Sequence, residues 1–359
     1  MKLLFDTCLT ATPKGGIERY VHNLAKALCQ NNNIYFTTSS KLKNTLFSSA
    51  VRMPPIAQFR PARLFGRISS FFIKKELKNN KTDIVHVFNY ALNETVKKQL
   101  KRTPLVSTVY DLTPEIVGEI PMHTPYHAKK ALFDSCTRII SISHSTKKDL
   151  IHYYDIDESK IDVIHLATDF PSILEANSSP SKKFVHIGHR AGYKNFEYVA
   201  VSFSKILKKQ PDISLILIGG GPLTDKEKAL LQELDILQAV TCEVSPSDSR
   251  IQSILSDSLA LLSGSTNEGF GITFLEAMQC GSIPIGSKSS SIPEVLGEAG
   301  ILVDVENPDA MADAMQILLN NPMYRNSLQK KGLDQAKLFS WQKTAAETFG
   351  VYKRCLEAE

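Results

Sequence analysis

Short apolar runs and helical stripes alternate along most of this chain. Residues 2–5, 83–88, 104–109 and 138–142 are short runs rich in Ile, Val, Leu and Phe, the composition of parallel strands buried on both faces. Between the first two, Ile17, Tyr20, Val21, Leu24 and Leu28 recur at helical spacing, so a helix turns one face inward. The polar stretch 169–183, DFPSILEANSSPSKK, interrupts the rhythm, and the alternation then restarts. Strands are expected at 184–187, 213–218, 239–244, 259–262, 283–285 and 301–303, with a helix at 196–208. From Pro308 the pattern is helical, with breaks near Asn321-Pro322 and Phe339-Ser340. Repeated strand–helix alternation predicts parallel sheets with helices on both faces. The expected organisation is an N-terminal domain at 1–170, a linker at 171–183, a second domain at 184–338 and a final helix at 339–359 that crosses back to the first domain.

With 359 residues the chain is long enough for two such domains. Charged residues make up 22% and apolar residues 43%, which excludes a disordered chain. No apolar run is long enough for a membrane-spanning helix, and the first residues turn polar too soon for a secretory signal. Six cysteines lie singly at 8, 29, 136, 242, 280 and 355, without metal-ligand spacing or a disulfide framework, which fits a reducing cytoplasm. The net charge of +5 is unevenly spread: residues 1–180 hold 24 basic and 16 acidic side chains, the remainder 18 and 21. A basic half suggests an anionic partner. Nucleic acid is not expected, because no recognisable binding module with interleaved aromatics is present.

Two segments carry candidate chemistry. In Asn267-Glu-Gly-Phe-Gly-Ile-Thr-Phe-Leu-Glu-Ala-Met-Gln-Cys-Gly281, Glu268 and Glu276 flank a glycine loop that feeds a helix, with Gly281 suited to its C-terminal cap. Such a loop offers free amides and a positive dipole end to a diphosphate. Glu268 is placed to accept sugar hydroxyls and Glu276 to hold a ribose. Thr273-x-x-Glu276 also has the form of a capping box, so a purely structural Glu276 stands as the alternative. The second segment, Gly188-His-Arg-Ala-Gly-Tyr-Lys-Asn195, follows an expected strand and offers Arg190 and Lys194 where open α/β sheets bind ligands. Those cations would meet the charge of a leaving diphosphate; a merely solvated loop is the competing reading.

These segments resemble the family 4 glycosyltransferases. The resemblance also rests on Gly15-Gly16-Ile-Glu-Arg-Tyr20, Gly219-Gly220, Ser282-Ile-Pro-Ile285, residues 291–303 and Phe339-Ser-Trp341, and it covers nearly the whole chain. It implies the GT-B fold, two Rossmann-like doubly wound α/β domains facing across a cleft. It implies retaining, metal-independent transfer from a nucleoside-diphosphate sugar, with no cofactor. By this resemblance Glu268 contacts the donor sugar, Glu276 the ribose, and Arg190 and Lys194 the diphosphate. The backbone at Gly188, Phe270, Gly271 and Ile272 approaches the donor, and Gly15 and Gly16 let the first loop do the same. Members of the family carry a His-Asp pair after an N-terminal strand; this chain has Tyr110-Asp111. Tyrosine is a poor base near neutral pH, so a weakly catalytic or regulatory GT-B subunit is the alternative function. His144, in Ser143-His-Ser145, is a candidate substitute at another strand end, with a purely structural histidine as the alternative. Asp155-Ile-Asp157 has the form of a metal-binding pair but reads as a surface turn.

The expected substrate setting is transfer of a hexose, mannose among the candidates, to a lipid-linked or growing glycan in surface polysaccharide assembly (O-antigen, capsule or exopolysaccharide) on the cytoplasmic face of the plasma membrane. Residues 58–80 interleave Arg60, Arg63, Arg67, Lys74, Lys75 and Lys78 with an aromatic and aliphatic stripe. Two readings stand for this stretch: a peripheral contact with an anionic membrane, or a helix whose apolar face packs on the first sheet.

Overall fold

The computed structural model describes residues 1–6, 16–31, 35–38, 82–88, 90, 103–118, 126–172 and 181–357. The readings made for Gly15 and for 58–80 lie outside these residues, as does most of the 171–183 linker. The chain divides into two compact units, Met1–Leu166 with Ser340–Glu359, and Ala167–Phe339. The first unit therefore ends at Leu166 rather than 170, and the last residue of the expected linker, Lys183, already opens a strand.

In the first unit the order is β1 (Lys2–Asp6), α1 (Gly16–Asn31), β2 (Tyr35–Thr38), β3 (Ile84–Val87), β4 (Leu105–Val109), α2 (Thr113–Ile116), α3 (Tyr126–Ser135), β5 (Arg138–Ser141), α4 (His144–Tyr154) and β6 (Ile161–Val163). Its described strands form one parallel sheet in the order β2-β1-β3-β4-β5-β6. Side chains alternate between the faces of a strand, and here both faces are covered. Leu3, Phe5, Ile84, Val106 and Ile140 pack with Tyr20, Leu24 and Leu28 of α1. Leu4, Val85, Leu105 and Ile139 pack with Leu132 and Phe133 of α3 and Leu150 and Tyr154 of α4.

The second unit runs β7 (Lys183–Ile187), α5 (Phe196–Leu207), β8 (Ser214–Ile218), α6 (Asp225–Glu233), β9 (Val240–Glu243), α7 (Asp248–Asp257), β10 (Ala260–Leu262), α8 (Ile272–Gln279), β11 (Ile283–Ser287), α9 (Ile292–Leu296), β12 (Ile301–Val303), α10 (Pro308–Asn320) and α11 (Pro322–Ala336). Its parallel sheet has the order β9-β8-β7-β10-β11-β12. The chain winds outward from β7 to β9 on one side, then returns to lay β10 to β12 on the other. This is the Rossmann order, and its reversal between β7 and β10 opens a crevice beyond their carboxyl ends.

The last helix, α12 (Trp341–Glu357), belongs to the first unit. Its Ala345, Val351, Tyr352 and Cys355 enter the core on the α1 side. Thr344 Oγ1 donates to His165 O at 2.8 Å, and Arg354 meets Asp162 at 2.7 Å. Deeper in, the His86 ring bridges α12 and the sheet, with Nδ1 2.6 Å from the Tyr352 hydroxyl and Nε2 2.8 Å from Thr108 Oγ1. His86 also stacks on Phe88 at 4.0 Å.

Burial pushes the His86 pKa from 6.5 down to about 3. The unfolded chain therefore takes up this proton first: stability is full above pH 6.5 and drains away as the pH falls toward 3. Lowering the pH from 7.5 to 5 should cost about 2 kcal/mol at this residue. Asp149, which burial raises to about 6, contributes with the opposite sign, so comparison with a variant isolates the histidine. Urea unfolding at the two pH values should show a smaller loss for His86→Gln than for the parent protein; equal losses would remove His86 as the acid-sensitive group.

Candidate active site

The loops beyond β7 and β10 meet at the reversal in the second sheet. Tyr193 O accepts the Thr266 amide at 2.9 Å, and Gly264 lies so close to the Asn195 carbonyl that a Cβ there would collide with it. This packing brings together two of the residues expected at the site: Lys194 Nζ lies 2.7 Å from Glu268 Oε1, with both side chains largely buried. The Glu268 backbone is pinned from a third strand end. Its amide donates to Ser290 Oγ at 3.1 Å, and its carbonyl accepts from the hydroxyls of Ser290 and Ser291. Beneath the pair, His186 Nδ1 lies 3.0 Å from Leu262 O and links β7 to β10. Burial lowers its pKa to about 4, so the ring is neutral and donates through Nδ1. Sequence reasoning missed the two serines and His186, which carry no motif of their own.

Arg190 requires a correction. Its side chain is 1% exposed, and its guanidinium turns into the protein. Nε donates to Glu227 Oε1 at 2.7 Å and Nη1 to Gly219 O. Nη2 donates to the carbonyls of Gly220, Gly221 and Pro222 at 3.3, 3.0 and 3.0 Å, and to Glu227 Oε2 at 3.3 Å. These partners engage all three nitrogens of the guanidinium and turn it inward, away from the surface on which a diphosphate was expected to meet it. Glu227 also closes the α6 N-terminus in a capping box with Thr224. Burial opposes its charge, but the hydrogen bonds from Arg190 and the Thr224 amide outweigh that and hold its carboxyl below the ordinary value. The pattern Thr224-x-x-Glu227 was readable in the sequence as a cap.

On the glycine segment, Gly271 sits at the N-cap position of α8 with φ +89° and no side-chain cap. A Cβ there would lie 2.6 Å from the Phe274 ring, so both conformation and space demand glycine. Because α8 starts at Ile272, Thr273 lies inside the helix, and Thr273–Glu276 is not its capping pair. Glu276 is buried at 6% exposure on the first full turn, and Gly281, at φ +76°, follows the helix end as expected. Phe270 is buried with its ring against Phe339 at 5.7 Å, so only its backbone is available to a ligand. The backbone of Gly188 lies beside the Lys194 stem, 3.9 Å from Cε to an ideal Cβ.

The first unit does less at its strand ends than expected. The Tyr110 hydroxyl is buried without a hydrogen-bond partner among the described residues, and its ring stands edge-on to Tyr20 at 5.5 Å. Burial drives its phenol well above the usual value of 10, which holds it protonated. Asp111 Oδ1 accepts the Thr113 amide at 3.0 Å, and Tyr90 Oη accepts the amides of Tyr110 and Asp111. Gly16 opens α1, and among the described residues no atom lies within 4 Å of its ideal Cβ. His144 is the exposed first residue of α4. Asp155 ends that helix in a left-handed conformation, and Asp157 Oδ1 accepts the Ser159 amide, so these two aspartates form a turn.

Two family models match, Glycosyltransferase Family 4 over residues 14–170 and Glycosyl transferases group 1 over residues 172–335. The chain belongs to the family 4 glycosyltransferases. Among curated relatives, this glycosyltransferase is 23% identical to D-inositol 3-phosphate glycosyltransferase of Corynebacterium glutamicum over 252 residues, 64% of this chain and 60% of that one. It is 40% identical to O-antigen chain mannosyltransferase B of Escherichia coli over 86 residues, 24% of this chain and 23% of that one. The matches thus span less than two thirds of these relatives' lengths. Sucrose-phosphate synthase from Thermosynechococcus elongatus superposes over the full length of both chains with a TM-score of 0.76 at 18% identity. The glycosyltransferase has the GT-B fold, two parallel-sheet Rossmann-like domains.

The two loop cations of the glycosyltransferase should respond differently to truncation. Arg190→Ala takes the guanidinium away from the Glu227 carboxylate and from four carbonyls and should lower stability by about 3 kcal/mol. Lys194→Ala removes one ion pair at the surface of the crevice and should cost about 1 kcal/mol. Denaturant midpoints of the two variants measure this, and an Arg190→Ala protein as stable as the parent would contradict the clamp.

Proposed function

We propose that this glycosyltransferase moves a hexose, with retention, from a nucleoside-diphosphate sugar to a lipid-linked or growing glycan in surface polysaccharide assembly. The observation that carries this is the Lys194–Glu268 pair, 2.7 Å apart at the reversal of the second sheet. Without donor the two charges neutralise one another. A bound diphosphate competes for the ammonium, and Glu268 is released to accept hydrogen bonds from the sugar hydroxyls. The uncapped start of α8 faces the same chemistry with backbone amides and a positive dipole end. Lys194 and that dipole supply the positive charge for the leaving group, so the reaction runs without a metal ion. Glu276, one turn along α8, holds the ribose.

With the Tyr110 phenol buried and held protonated, the leaving phosphate oxygen takes the acceptor proton on the same face of the sugar, which accounts for retention. The same buried phenol favours a second reading, a GT-B subunit that binds donor without transferring it. The setting in polysaccharide assembly draws on the likeness to an O-antigen chain mannosyltransferase, which also makes mannose the first hexose to test. The enzyme works in the cytoplasm at the inner face of the plasma membrane. No described helix is long and apolar enough to cross a membrane, and the basic, aromatic sequence 58–80 provides a peripheral contact with anionic lipid.

Incubation with GDP-, UDP- and dTDP-hexoses, with and without a lipid-linked acceptor, tests the reaction. Donor hydrolysis or transfer is expected; binding without either supports the subunit reading. Glu268→Ala should slow turnover about a hundredfold, equivalent to roughly 3 kcal/mol, while lowering stability by no more than the about 1 kcal/mol expected for loss of the same ion pair in Lys194→Ala. Glu276→Ala should mainly raise the donor KM, because a ribose contact is similar in ground and transition states. Near-parental turnover in Glu268→Ala would remove that residue from the site. For the membrane contact, the protein should sediment with anionic but not neutral vesicles at low salt, and Arg60, Arg63 and Arg67 changed together to Glu should abolish this. Absence of sedimentation with anionic vesicles would sink it.

A further inference from the structure

The occupied guanidinium of Arg190 has a consequence on the far side of the loop it holds. The carbonyls of Gly219, Gly220, Gly221 and Pro222 all converge on it. No cis peptide bond occurs among the described residues, and in a trans peptide the N–H of the next residue points opposite to the carbonyl. The amides of Gly220, Gly221 and Leu223 are thereby turned away from Arg190; Pro222 has none. Gly220 is exposed and Gly221 and Leu223 are half-buried, and none of their amides meets an acceptor among the described residues. Gly219, Gly220 and Gly221 hold this shape with φ of +87°, +69° and +75°. An ideal Cβ on Gly220 would lie 2.9 Å from Arg190 Nη1, so the clamp and the glycine require one another.

The array stands beside the candidate site. An ideal Cβ on Gly219 would lie 3.3 Å from Gly188 O, and one on Gly188 would lie 3.9 Å from Lys194 Cε. Three outward N–H groups with no acceptor among the described residues, on a loop that packs against Gly188 and through it on the Lys194 stem, suit a ligand that offers only acceptor oxygens.

We propose that Arg190 and Glu227 are positioning residues that turn the amides of Gly220, Gly221 and Leu223 into a phosphate-oxygen subsite completing the Lys194 site. This deepens the donor-binding reading and rests on it. Arg190 touches no substrate; it sets the direction of the backbone that does. Glu227 fixes the guanidinium and, as the α6 cap, fixes the far end of the loop. The oxygens belong to the donor's diphosphate or to free phosphate, and the probes below separate the two.

The test uses the full chain labelled with 15N-glycine, titrated with pyrophosphate, orthophosphate, GDP and UDP. The Gly220 and Gly221 amides should shift on addition of pyrophosphate and of at least one nucleoside diphosphate, and far less with orthophosphate. In parallel, Arg190→Lys and Glu227→Gln, each retaining a native circular-dichroism spectrum, should bind pyrophosphate at least tenfold more weakly than the parent. Glu227→Gln keeps the shape of the side chain and covers the case in which Arg190→Lys does not fold. A role confined to stability predicts lower unfolding midpoints with unchanged affinity in the folded protein. If Gly220 and Gly221 stay unmoved while Gly188 and Gly192 shift and Lys194→Ala loses affinity, the subsite is overturned and the donor reading survives. Equal response to orthophosphate and pyrophosphate also overturns the subsite as a diphosphate site. If no nucleoside diphosphate binds the parent protein, both fall together.

Discussion

One buried cation organises the donor-side loops of the second unit. A guanidinium that is 1% exposed must be matched by charge and acceptors or it costs several kcal/mol. Here the match is supplied by Glu227 and by four successive carbonyls. Those carbonyls can converge only because the chain turns left-handed at three glycines in succession. The loop after β8, the start of α6 and the loop after β7 are thus tied together through one guanidinium, and Lys194 lies on the same β7 loop. Removing the cation would relax the conformation of each part.

The Lys194–Glu268 pair has a different character. It is a single ion pair, largely buried, with no carbonyl cage around it among the described residues. Its supports are on the backbone: Ser290 and Ser291 hold the Glu268 peptide, and Thr266 ties the β10 loop to Tyr193. Apart from the Tyr193 ring, which lies 5.2 Å from the ammonium, the two side chains meet only one another among the described residues, so under the proposed reaction the pair can exchange partners with little reorganisation of its main chain, the property that electrostatic catalysis needs. The contrast explains why two cations on one short loop have separate roles. In the proposed site the one surrounded by acceptors shapes the loop, and the one paired to a single carboxylate exchanges that partner for a ligand.

The strand rhythm of the sequence carried nearly all of the architecture, because parallel strands buried on both faces leave uninterrupted apolar runs. β2 and β6 escaped for the opposite reason. Tyr35-Phe-Thr-Thr and Ile-Asp-Val are short, and the latter holds Asp162, which is tied by ion pairs to Arg138 and Arg354. At the site, residue type and spacing located the loops but could not give side-chain direction. Arg190 and Lys194 look equivalent as letters, yet one points inward and the other along the crevice. Thr273-x-x-Glu276 and Thr224-x-x-Glu227 look equivalent as caps, yet a left-handed Gly271 already occupies the N-cap position of α8, and only the second pair closes a helix. Those outcomes depend on which backbone carbonyls gather nearby, a tertiary property with no signature in local spacing.

The first unit places a further constraint on the chemistry. Its buried polar groups serve the docking of α12: His86 spans Tyr352 and Thr108 and is kept neutral, and Tyr110 leans on Tyr20, which in turn lies 5.8 Å from Trp341. Both ionisable rings are thus committed to the fold, and burial moves each away from neutral pH in the direction that removes its charge. Asp111 is drawn into the turn that starts α2. A transfer that depended on Tyr110 as a base would have to expose it and disturb the packing that holds the C-terminal helix. Under the proposed reaction no such opening is required, since the departing diphosphate carries a basic oxygen next to the bond it leaves. The proton route then moves with the substrate, and the protein's task contracts to holding that diphosphate still through Lys194, the α8 amides and the outward amides of the glycine loop.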